Sequence, residues 1–129
     1  MRFMLLRKAD AETEAGTLPS EELLAAMARY NQELAEAGVL LQGEGLRASA
    51  EGALVTFSDG APRVIDGPFT EAKELVAGFT MIEVASKEEA IEWVKRWPAI
   101  DGHGNAQIEV RALYEPEDFA SAGTELDAP

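Results

Sequence analysis

Apolar residues recur along the chain in two rhythms, one of period two and one near 3.6, and these mark out its elements. Residues 2–8 read as a first strand, with Phe3 and Leu5 toward one face and Met4 and Leu6 toward the other. Apolar side chains on both faces predict a strand covered on both sides. Leu23, Met27, Tyr30 and Leu34 then form a helical stripe, with Leu24, Asn31 and Ala35 just beside it. Ser20 ahead of Glu21-Glu22 predicts the helix start, because its hydroxyl caps free amides and the glutamates suit the positive end of the helix dipole. Gly38 predicts a left-handed stop. Residues 39–43 begin a second strand, and Gly43-Glu44-Gly45 predicts a kink in it. Residues 53–58 and 63–66 read as two strands about an Asp59-Gly60 turn, with Pro62 predicting a loop longer than two residues. After Gly67-Pro68, residues 70–74 predict one helical turn. Residues 76–84 form the strongest strand pattern. Ser86 and Glu89 form a capping box for a second long helix carrying Ala90, Ile91, Trp93, Val94 and Trp97, with Pro98 as its stop. Residues 106–114 close the series, with Ile108, Val110 and Ala112 opposite Gln107, Glu109 and Arg111.

The order β-α-β-β, a short extra segment, then β-α-β predicts an α+β domain of the ferredoxin-like, split βαβ kind. Both helices then pack on one face of an antiparallel sheet. The other face is also apolar, and such a face left in water is a liability. A second copy of the chain is the simplest cover, so the pattern predicts a homodimer with sheet against sheet. The competing cover is the loop around Asp66 together with the C-terminal tail. That tail, residues 115–129, holds five acidic and no basic residues and predicts a loosely ordered extension of a domain spanning 1–114.

The length of 129 residues suits one domain with its own core, and the apolar fraction of 47% and charged fraction of 27% are those of a globular protein. The absence of cysteine excludes disulfides, thiolate metal sites and cysteine nucleophiles. The formal charge is −13, with 11 basic residues scattered among 24 acidic ones, which argues against a nucleic-acid partner. The apolar stretch from Phe3 to Leu6 is too short for a signal-peptide core, and no run approaches the ~20 apolar residues of a membrane span. A cytoplasmic protein without a membrane partner is expected.

Candidate chemistry is sparse. Asp66 precedes Gly67-Pro68, where a carboxylate either ties a turn through nearby amides or serves as a general base at a cleft mouth. Lys73 and Glu74 follow closely and offer one cation and one carboxylate to the same place. Glu44 lies between two glycines that permit close backbone approach. Tyr30 and Asn31 sit at the edge of the first helix stripe, where they line a pocket or a core rim. His103 is the single histidine, in a glycine-rich loop. With one histidine and no cysteine, no metal site is expected, and nothing in the sequence calls for a cofactor. Trp93 and Trp97, four apart, read as packing residues or a stacking platform.

The run Asp66-Gly67-Pro68-Phe69-Thr70-Glu71-Ala72-Lys73-Glu74, followed by Gly78-Phe79, resembles the DGPF subgroup of the YCII-related proteins. Gly38-Val39-Leu40 with Gly43-Glu44-Gly45-Leu46, Tyr30-Asn31 with Glu33-Leu34, and Ile108-Glu109-Val110-Arg111 match in the same order. The likeness spans residues 3–114. It implies a ferredoxin-like dimeric α+β barrel, and for some members an association with extracytoplasmic-function sigma factors. The histidine proposed to act with an aspartate in YCII-type relatives falls near Met27 here, so that pair does not carry over. The expected function is a dimeric small-molecule-binding or regulatory module, with a pocket lined by Tyr30, Asn31, Glu44, Asp66 and Lys73. The alternatives are a cofactor-free enzyme using Asp66 or Glu44 as general acid/base, and an interaction module acting through the acidic tail.

Overall fold

The computed structural model describes residues 1–68 and 74–120. Among these residues six strands and four helices follow in order: β1 (Arg2–Lys8), α1 (Ala11–Glu14), α2 (Glu21–Glu36), β2 (Leu40–Gly45), β3 (Ala53–Ser58), β4 (Ala61–Asp66), β5 (Val76–Glu83), α3 (Lys87–Val94), β6 (Ile108–Ala112) and α4 (Pro116–Ala120). Single 3₁₀ turns occupy Ser49–Glu51 and Asp101–Gly104. The main sheet is antiparallel in the order β2-β5-β1-β6, with β3 and β4 forming a separate hairpin. Two central strands flanked by the strands that follow α2 and α3 make this the α+β, ferredoxin-like arrangement that the pattern predicts.

Burial alternates along β1, with Phe3, Leu5 and Arg7 inside. Register aligns Phe3 with Ile82, and Leu5 with Thr80 and Val110, on the face that α2 and α3 cover. Tyr30 and Leu34 from α2, Ala90 from α3, and Val84 complete the buried cluster. Phe3, Leu5, Leu34 and Ile82 are its largest fully buried side chains, each stabilising by about 1.5–3 kcal/mol relative to exposure. The opposite face carries Met4, Leu6, Phe79 and Met81, all half-exposed and outside that cluster. No helix among the described residues is long and apolar enough to cross a membrane.

The local signals for α2 hold. Ser20 Oγ accepts from the Leu23 amide at 3.1 Å, and Gly38 takes φ +74° after the last turn. Ser86 Oγ accepts from the Glu89 amide, but the Glu89 carboxylate takes the Ala85 amide rather than that of Ser86. Other expectations need correction. The second helix is only eight residues long and ends at Val94, so Trp97 stands beyond it in a turn closed by its amide on the Val94 carbonyl. The 3₁₀ turn at 101–104, not Pro98 alone, then redirects the chain. In the hairpin, Ser58 pairs with Ala61 and Phe57 with Pro62, so Asp59-Gly60 is a two-residue turn with both φ values positive. A proline is tolerated in a strand that has no further neighbour beyond it. The irregularity in β2 lies between Leu40 and Gln42, and Gly43 and Gly45 pair regularly with Thr80 and Gly78.

At the start of the expected tail, Pro116–Ala120 is a short helix. Arg2 holds Glu115 through Nε at 3.0 Å, and the Tyr114 and Phe119 rings lie 5.0 Å apart. The helical turn expected at 70–74, with Phe69 and Lys73, falls largely on residues outside those described.

Candidate functional site

The site begins with an arginine in an apolar row. Arg7 continues the Phe3–Leu5 face of β1, so its guanidinium enters the helix side of the sheet. A buried cation needs paired, hydrogen-bonded partners. Asp101 supplies a two-point contact, with Arg7 Nη2 to Oδ1 at 2.8 Å and Nε to Oδ2 at 3.0 Å. Arg7 Nη1 donates to the Lys8 carbonyl and, at 3.2 Å, to Asp10 Oδ2. Trp97 Nε1 donates to Asp101 Oδ2 at 2.9 Å. The hydrogen bond to Asp101 raises Arg7 above its ordinary value despite burial. Burial works to raise the Asp101 carboxyl, but Arg7 and Trp97 outweigh it and leave it below the usual range. The Thr13 amide holds Asp10 low, aided by Arg7 and opposed by partial burial.

Asp10 has a second task. Its carboxylate accepts the Thr13 amide at 2.9 Å while Thr13 Oγ1 accepts the Asp10 amide, a reciprocal cap that starts α1. Glu14 at the end of α1 accepts from both the amide and the hydroxyl of Ser49. One ionic group at the end of β1 thus positions α1, the 101–104 turn and, through Glu14, the 49–51 turn.

These elements frame a cleft of about 1260 Å³ between α2, the β2–β5 end of the sheet and the 101–104 turn. Its floor includes Gly45, Gly78 and Thr80. Register places Gly45 opposite Gly78, which is opposite Arg7, so the absence of side chains there opens space on the helix side. A Cβ added at Gly45 meets nothing within 4 Å. Leu23, Met27, Leu46, Trp97 and Ile100 give apolar walls. Asn31 also lines the cleft, and its Oδ1 is buried with no hydrogen-bond partner. His103 and Glu12 stand at the cleft with Nε2 and Oε2 2.9 Å apart, His103 on left-handed backbone at φ +54°.

The residues singled out in the sequence disperse. Asn31 and Glu44 both line the cleft, although Glu44 is exposed and its register partner is Phe79, which places its side chain on the sheet face away from the helices. Tyr30 is buried in the core, its hydroxyl donating to the Trp93 carbonyl at 2.7 Å and its ring 5.3 Å from Trp97. Burial pushes its phenol up to about 12. Asp66 ends β4 opposite Ala53 and is exposed, and Glu74 is exposed as well. Lys73 lies outside the described residues. Among the described residues no group of histidine and carboxylate side chains is placed to hold a metal ion.

Arg7, Asp101 and Trp97 escape the motif reading because they are 94 residues apart at their ends and form no spaced pattern. The available signal was an arginine at an inward position of a strand. The glycine of the Asp66-Gly67-Pro68 run has a structural reason. A Cβ on Gly67 falls 1.7 Å from the Ser49 carbonyl oxygen, so only glycine lets these backbones meet.

The sequence model of the YCII-related domain family matches residues 1–115. The chain belongs to that family. A relative, an uncharacterized protein of Rhizobium meliloti (strain 1021), is 30% identical over 102 residues, which cover 78% of this chain and 82% of that one. Among solved structures, this YCII-related chain is similar to the 5-chloro-2-hydroxyhydroquinone dehydrochlorinase of Burkholderia phenoliruptrix in complex with 2,5-dihydroxybenzoquinone, with a TM-score of 0.48 and 18% identity over 92% of this chain and 98% of that one. A likeness of that size transfers neither activity nor ligand.

Proposed function

We propose that this YCII-related chain, of the DGPF subgroup, is a homodimeric module that binds a small organic molecule in the cleft between α2 and the sheet. The observation that carries the reading is the cleft itself. At about 1260 Å³ it exceeds the ~300–1,000 Å³ usual for small-molecule pockets, leaving room for a ligand and water. Apolar walls with a few convergent polar groups are the common composition of such sites. Half-exposed Met4, Leu6, Phe79 and Met81 on the other sheet face support a second copy as its cover.

The test fills the floor. Gly45 has open space where a Cβ would stand and no left-handed backbone requirement, so Gly45→Phe places a ring in the cleft at little cost to the fold. Small soluble amines, alcohols and carboxylates with a phenyl body are titrated into wild type and variant, with binding read by calorimetry. At least one of them binds wild type, and Gly45→Phe weakens it by about tenfold or more with the melting temperature within a few degrees. Equal binding by both proteins removes the cleft as the site.

A further inference from the structure

The β3–β4 hairpin has two outer edges, and they differ. Ser58 pairs with Ala61 across the turn, the Gly67 amide donates to the Gly52 carbonyl at 3.1 Å at the open end, and the register runs unbroken between. Alternate residues of an antiparallel pair turn their amide and carbonyl inward and outward. Leu54, Thr56 and Ser58 therefore bond to β4, while Ala53, Val55 and Phe57 present theirs outward. On β4 the outward residues are Pro62, Val64 and Asp66. Pro62 has no amide to offer and Asp66 carries a charge, two devices that keep a sheet edge from pairing. The β3 strand, Ala-Leu-Val-Thr-Phe-Ser, has no proline, no charge and no bulge. Each of its residues is exposed, and among the described residues no strand adjoins its outer edge. An uncharged apolar edge of this kind is a template for another strand.

We propose that this edge receives β3 of a second copy, antiparallel across a two-fold axis, so that the two hairpins join in one sheet. The strand is self-complementary about Val55. With Val55 opposite Val55 of the other copy, Ala53 meets Phe57 and Leu54 meets Thr56. Every outward amide and carbonyl of both strands then finds a partner, and no other register pairs all of them. A small side chain faces the large one on either side of the axis. Val55 and Phe57 share a hairpin face with Val64 and Pro62, so the apolar stripe continues from one copy to the next. The strand itself is uncharged, so the contact adds no like-charge repulsion between chains of formal charge −13. It is separate from the cleft and from the sheet face of Met4 and Met81. One strand per copy falls below the ~1,200 Å² of a stable interface. The contact is therefore reversible, open in dilute protein and closing as the concentration passes about 0.1 mM.

Light scattering of the full chain from about 10 µM to about 1 mM, at physiological salt, tests the contact. The wild-type mass is expected to rise toward twice its dilute value. Val55→Pro removes an outward amide that the hairpin ladder does not use. Val55→Lys sets two ammoniums opposite each other at the axis. Each variant is expected to keep the dilute mass throughout, with a melting temperature near that of wild type, because Val55 is exposed and outside the core. Val64→Lys, on the same hairpin face but beside the other edge, leaves the rise in place. Mixing Val55→Lys with Val55→Glu restores it, since unlike charges then meet across the axis. A wild-type mass that stays flat over the range overturns the inference and leaves the sheet-face dimer untouched. A rise that persists in Val55→Pro, or disappears in Val64→Lys, overturns the β3 edge as the contact. A mixture that fails to associate overturns the Val55 register and the inference with it.

Discussion

Individual residues here are constrained by what the backbone and a few buried charges allow. Gly67 is the clearest case, because its missing Cβ leaves the space that the Ser49 carbonyl occupies. Gly67→Ala forces the 49–52 turn and the end of β4 apart and is expected to cost about 2–4 kcal/mol. Urea unfolding measures it, and a loss of only a few tenths would show that the two segments part freely. The Arg7–Asp101 pair behaves differently. Folding depresses Asp101 and Asp10 below their unfolded values. The stability this contributes is present above an unfolded carboxyl value of about 4 and is lost as pH falls through the lower folded values. The melting temperature therefore holds steady from neutrality to about pH 4 and drops below it. Asp101→Asn leaves Arg7 short of charge compensation, costing about 3 kcal/mol at pH 7. It also flattens the acid drop. An acid profile unchanged by the substitution would place that drop in other carboxylates.

At the scale of elements, α2 is well specified and the β3–β4 hairpin is not. The helix has a capping serine, acidic residues in its first turn and a left-handed glycine after its last. Every residue of both hairpin strands is exposed, including Phe57 at 70% and Val64 at 65%. An isolated two-stranded ribbon is marginal in water. Its ladder is held chiefly by its two-residue turn and its own cross-strand pairs. In hydrogen exchange followed by mass spectrometry, the β3–β4 amides are expected to exchange far sooner than those of central β1 and β5. Protection equal to that of β1 would mean that the hairpin is covered in solution, which would extend the proposed dimer contact onto it.

For the whole molecule, the question is what meets the second sheet face. A mass of twice 13.9 kDa in light scattering is the expected result for the homodimer. Met81, on that face and in register with Met4, is half-exposed. Met81→Glu puts a charge on the proposed contact face and is expected to give a folded monomer, since the helix-side core is untouched. A wild-type chain with the monomer mass would end the sheet-to-sheet assembly.

The alternation of Phe3 and Leu5 against Met4 and Leu6, the stripe on α2 and its caps were legible in the sequence because they express local periodicity and local hydrogen bonding. With the order of elements, they determined the ferredoxin-like plan. Asn31 and Glu44 were legible as pocket candidates, but their opposed settings were not, since strand register decides which face a residue takes. Tyr30 was legible as an amphipathic residue, and only packing made it a core residue bonded to Trp93. The two-residue hairpin turn and the short α3 depended on pairing and packing beyond their own segments. The Arg7–Asp101–Trp97 group and the cleft it frames were decided by tertiary structure alone. A charge enters a core only where distant segments bring its partners, and no local pattern records that meeting.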